Sequence, residues 1–226
     1  NCFTKSGLIT AFAYPGSKQK PITLTIGGKT IKTSVDAEDA EAAKFVVDRE
    51  YAVLTLYANH NLWKEAWQRY YRMIYRDSYS RLNQVSADIY KALFTDAMKK
   101  DAANPERAYA QELLTWLQNF TYERAKTNKH SDFTDLISAV SGQGSDCDSR
   151  SMLLCALMKH IGTNATLYIS REYSHSVAGL ALEGAGAKIT TSGTDFTLAE
   201  TTAHVDIGRI AQDMSDTAKW IPVELP

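Results

Sequence analysis

Cys147, His175 and Glu200 are the residues of this chain whose types and order suit covalent chemistry. Cys147 follows Gly144, Ser145 and Asp146 and precedes an apolar arc of Leu153, Leu154, Leu157, Met158 and Ile161, so it falls in the first turn of a helix. Unpaired backbone N–H groups and the helix dipole at that position favour a thiolate over a thiol, which is how a sulfur nucleophile is made. His175 opens a segment that reads as a strand, and an imidazole there can take the thiol proton and later return it to a leaving amine. Glu200 ends the next apolar segment, around Phe196 and Leu198. A carboxylate in that place holds the imidazole in one tautomer. Nucleophile, base and orienting acid then sit on a helix start and two neighbouring strands.

The elements that must position these residues are readable from periodicity. In the first 35 residues Ile22, Leu24 and Ile26 alternate with polar residues, and Pro15, Gly16, Gly27 and Gly28 punctuate them, which predicts a small hairpin. From Asp36 to about Lys126 the composition turns to Ala, Glu, Tyr, Trp and Arg with helical spacing, and four helices are expected. One spans 61–81, with Trp63, Trp67, Tyr70 and Ile74 on one face and Arg69, Arg72 and Arg76 on the other. The next covers about 84–100 with Ile89, Leu93 and Phe94, and Asn104 with Pro105 opens a further one carrying Tyr109, Leu113, Trp116, Leu117 and Phe120. A short helix around 133–140 and a Gly-containing loop lead into the cysteine helix, about 146–161, with Ser145 and Asp148 spaced as a capping box and Gly162 as its stop. Extended segments follow at 165–169, 176–182, 196–201 and 219–225.

In this setting residues 113–202 resemble the transglutaminase-like superfamily. That family is a papain-related fold in which a helix beginning at the catalytic cysteine packs on an antiparallel sheet bearing a histidine and then an acid. The resemblance is carried by Gly144, Ser145, Asp146, Cys147 and Asp148, by the helix closing at Gly162 and the strand 165–169, by His175 with Ser176, Val177 and Ala178, and by Leu198, Ala199, Glu200 and Thr201. Upstream, Phe120, Thr121 and Tyr122 resemble the aromatic end of the preceding helix. The chain departs from the family pattern at Val177, where an aromatic residue is common, and at Glu200, where aspartate is. The resemblance implies a Cys147–His175–Glu200 triad and an oxyanion hole formed by the Cys147 backbone N–H and an upstream side chain. Gln143, Tyr122 and Trp116 all lie in the right region, with Gln143 preferred.

Other residues invite blander readings. Cys155 has no acid–base partner in sequence and reads as structural. His160 sits where a cation suits a helix C-terminus. His204 and Asp206 read as a solvated loop pair, although either offers an alternative contact near Glu200. A zinc site from Cys147, Cys155, His160 and His175 lacks the ligand spacing such sites show. The arginines and tyrosines of 61–81 suit a polyanion, yet the apolar stripe opposite them makes an amphipathic helix the simpler reading. Asn119 with Thr121 and Asn164 with Thr166 match the glycosylation sequon inside packed elements and read as chance.

Composition bounds the rest. The 226 residues carry 25 basic and 26 acidic side chains, a net charge of −1 that argues against a nucleic-acid partner. Apolar residues at 44% supply a core, and no run of 18 or more apolar residues spans a membrane. Three cysteines exclude a disulfide framework. The expected fold is α+β, with a β-hairpin and helices over 1–104 and a papain-like, transglutaminase-like core over 105–226. The expected function is thiol-dependent acyl transfer at an amide of a peptide or protein, as a protease, amidase or transamidase needing neither metal nor cofactor. A silent binding or scaffold module of the same fold is the alternative. Cys2, near a start that is not methionine, suggests a bacterial lipid anchor and an extracytoplasmic location.

Overall fold

Alternating residues in Gln19–Ile26 (β1) and Lys29–Asp36 (β2) pair antiparallel, with Leu24 opposite Ile31 and Ile26 opposite Lys29. The reversal falls on Gly27 and Gly28, whose φ values of 58° and 77° suit a two-residue hairpin turn that side chains disfavour. The structure, a computed structural model, describes residues 18–124, 130–142 and 144–226. Cys2, Pro15, Gly16 and Gln143, each singled out in the sequence, lie outside the described residues.

Four helices follow as the periodicity predicts: α1 (Asp39–Leu56), α2 (Trp63–Arg81), α3 (Asn83–Lys100) and α4 (Pro105–Gln118). The packed face of α2 is Tyr70, Tyr71, Ile74, Tyr75 and Ser78, shifted from the expected stripe, and Trp63 and Trp67 are only half-buried. The opposite face is not simply wet: Arg69 pairs with Glu50, and Arg72 Nε donates to the Glu224 carbonyl at 3.0 Å. Pro105 opens α4, but Asn104 supplies no side-chain cap. A short α5 (Leu136–Val140) is capped by Asp135, which accepts from Ser138 N at 2.9 Å.

The cysteine helix is α6, Cys147–His160, and it is buried along nearly its whole length. Its cap is Asp146, whose Oδ1 accepts from Ser149 N at 2.8 Å, one residue later than the Ser145–Asp148 spacing suggests. The Ser145 hydroxyl is engaged elsewhere, accepting from Arg150 Nε at 3.1 Å. Beyond α6, β3 (Ala165–Ser170), β4 (His175–Leu180), β5 (Lys188–Thr191), β6 (Thr194–Ala199) and β7 (Ile221–Glu224) form one antiparallel sheet in the order β5-β6-β4-β3-β7. Strand β5 was not expected, because Lys-Ile-Thr-Thr at a sheet edge carries almost no apolar alternation.

Helices precede the main sheet rather than alternating with its strands, and the described residues are 46% helical and 22% strand, an α+β arrangement. One sheet face, with Leu167, Ile169, Ala178, Leu180 and Val223, joins a buried apolar cluster that includes α6 and runs back through all four helices to Leu24 in β1. The other face carries a smaller cluster of Tyr168, Val177, Phe196, Leu198 and Trp220. Among the described residues no helix is long and apolar enough to cross a membrane.

Candidate active site

Cys147 opens α6 but is buried, with 3% of its surface exposed. Its Sγ donates to Asp148 Oδ1 at 3.5 Å, and Asp148 Oδ2 in turn accepts from the Tyr71 hydroxyl of α2. Burial, followed by the carboxylates of Asp148 and Asp146, pushes the Cys147 thiol well up. Ser176, whose buried hydroxyl lies beside the thiol without completing a hydrogen bond, draws it only partly back. The thiolate expected from the helix terminus is therefore not the resting form. Desolvation and the two carboxyl groups flanking Cys147 in sequence outweigh the dipole.

His175 and Glu200 meet. Continuing the β4–β6 register of Ala178 opposite Ala199 by one residue sets Glu200 opposite Val177, with His175 its diagonal neighbour on the same side of the pleat. His175 Nε2 and Glu200 Oε2 are 2.6 Å apart, with side-chain exposures of only 12% and 6%. Glu200 Oε1 is also occupied, accepting from Thr202 N at 2.7 Å and from its hydroxyl at 2.6 Å. Burial acts to raise the Glu200 carboxyl, but the bonds and charge of His175 and the bonds from Thr202 overcome it and hold the group below the ordinary carboxylate range. Strand alternation turns Ser176 toward α6 and the thiol, and turns His175 toward the face of Trp220, whose ring centroid is 6.4 Å away. No hydrogen bond joins Cys147 to His175. With Nε2 engaged by Glu200, Nδ1 is the ring nitrogen left free.

Tyr122 reaches the thiol through a parallel bridge to Ser145, in which Ser145 N donates to Thr121 O at 3.0 Å and Glu123 N to Ser145 O at 3.1 Å. Burial, and then the neighbouring Cys147, raises its phenol to about 12, so it stays a proton donor at neutral pH. Trp116 instead packs edge-on against Phe120, at 4.9 Å between centroids, on the main core.

Two further groups were missed in the sequence. Arg150, 1% exposed, donates to the Phe120 carbonyl at 2.8 Å, to Ser145 Oγ at 3.1 Å and carbonyl at 3.3 Å, and to the Thr201 carbonyl at 3.4 Å. Its guanidinium also lies 5.4 Å from the centre of the Tyr122 ring. One side chain thus joins the end of α4, the loop entering α6 and the residue after Glu200. The sequence signal was an arginine inside a helix otherwise buried all round. The Tyr71–Asp148 bond had no such signal, since its partners are 77 positions apart.

The remaining candidates have structural surroundings. Cys155 is fully buried, donates to the Thr166 carbonyl at 3.3 Å, and is pushed up to about 12 by burial. His160 stacks on Tyr79 at 4.0 Å and bonds the Ala156 carbonyl and Asn83 Oδ1. Burial lowers its pKa, so it is not the cation expected at the helix terminus. His204 and Asp206 are exposed.

Comparisons with protein-family models, with curated proteins and with solved structures gave no match to this chain.

Proposed function

We propose that the chain is a thiol-dependent acyltransferase acting on an amide of a peptide or protein, hydrolytic or transamidating, with a core of the transglutaminase-like kind. The observation that carries this reading is the buried His175–Glu200 pair at 2.6 Å, one residue along the strand from the Ser176 that lies against Cys147. A carboxylate bonded to Nε2 fixes the tautomer and supports an imidazolium when it forms. Cys147 Sγ attacks the amide carbon as its proton passes to His175 Nδ1. The S–C bond forms, the C–N bond breaks, and the same proton leaves on the amine. Water or an amine then takes the acyl group from sulfur. The Cys147 backbone N–H and the Tyr122 hydroxyl are the oxyanion donors of this reading. Because the resting thiol is neutral, proton transfer accompanies attack rather than preceding it. No cofactor or metal has a role in these steps.

The missing Cys147–His175 hydrogen bond favours a second reading, a binding module with this fold and no turnover. Acylation by p-nitrophenyl acetate separates them. Under the first reading, Cys147 becomes acetylated with release of p-nitrophenolate, Cys147→Ala abolishes this, and His175→Ala slows it on the order of 10²-fold or more. Equal rates with and without His175, or no acetyl group on the Cys147 peptide by mass spectrometry, leave the binding module.

A further inference from the structure

Helix α2 is linked to the thiol through Asp148. Tyr71 of α2 is fully buried, and its hydroxyl is spent on Asp148 Oδ2 while Asp148 Oδ1 accepts the Cys147 thiol at 3.5 Å. A carboxylate so anchored is held beside the sulfur, and its hydrogen bond engages the proton that His175 would need to receive. Resting on the acyl-transfer reading above, we propose that Asp148, locked by Tyr71, is a positioning residue that keeps the Cys147 thiol protonated and turned away from His175 until substrate displaces that contact. The helical part of the chain thereby sets the reactivity of the nucleophile.

The titratable or charged groups that act on this thiol are Asp146, which caps α6, Asp148 and Arg150 of α6, and Tyr122 and Arg124 of the bridge segment; Tyr71 of α2 acts through Asp148, and His175 and Glu200 lie on the other side of β4. Among the described residues only Asp148 accepts a hydrogen bond from the sulfur. Asp148→Asn keeps an oxygen for Tyr71 and removes the charge beside sulfur.

The test is the pH dependence of iodoacetamide alkylation of Cys147 in the full chain, read on its peptide by mass spectrometry. In Asp148→Asn the midpoint falls by about one pH unit or more, so alkylation at neutral pH is about tenfold faster. Tyr71→Phe, which frees the carboxylate, shifts it the same way by less and carries the test should the first variant not fold. An unchanged or higher midpoint in a folded variant overturns the proposal, since a merely structural Asp148 would lower reactivity or leave it alone. The shift is expected in a His175→Ala background too. Failure of the acyl-transfer reading, seen with p-nitrophenyl acetate, is thus distinct from failure of this one.

Discussion

Glu200 binds His175 with one oxygen and is bound by Thr202 through the other, so its ionised form is favoured in the folded chain. A carboxyl depressed in this way contributes stability above its unfolded pKa of about 4.3 and loses it as pH falls through the lower folded value. The difference in stability between the wild type and Glu200→Gln is therefore expected to be full at pH 6 to 7 and to shrink below about pH 4. Thermal unfolding of both proteins across that range checks it. A gap that stays constant down to pH 3 would mean that the charge of Glu200 contributes nothing and that only its shape matters. The glutamate side chain is long enough to bring its carboxylate to the imidazole.

Arg150 governs how the elements meet. Its charge is buried without a direct carboxylate partner and is satisfied instead by carbonyls of α4's end, the α6 entry loop and the β6 exit, together with Ser145 Oγ. Burial accordingly lowers its pKa. Arg150→Met strands these acceptors, and with each buried unpaired group costing about 1–3 kcal/mol, a loss of about 3 kcal/mol in urea unfolding is expected. Arg150→Lys keeps the charge but reaches fewer of the acceptors, so an intermediate loss follows. If Met and Lys variants are equally stable to the wild type, the carbonyls find water and Arg150 does not join these elements.

At the scale of the molecule, the hairpin and helices of residues 18–104 and the later part draw on one apolar cluster, from Leu24 and Val47 through Leu113 and Leu157 to Val223. The Tyr71–Asp148 bond crosses the same boundary. Residues 105–226 expressed alone expose the side of α4 and α6 that this cluster covers, and are expected to lack the cooperative unfolding of the full chain. A cooperative urea transition in that fragment would show that the later part holds its own core and that the helices are an addition to it.

The local pattern of residues was enough for most of the elements. The spacing of apolar residues along α2, α3 and α4 marks helices because a helical period needs no distant partner, and Gly27-Gly28 marks a turn because few other residues adopt its backbone. The segments carrying His175 and Glu200 were legible, and it is the β4–β6 register that brings the two side chains together. Strand β5 was hidden, because an edge strand buries little and so leaves little pattern. The protonation of Cys147 was also hidden. Helix position argued for a thiolate, but desolvation and the carboxylate held beside it by Tyr71 depend on what folds over the helix start. Charge in a protein interior is set by neighbours in space, many of them far apart in the chain, and only the tertiary structure brings Tyr71, Asp148, Arg150 and Ser176 around one sulfur.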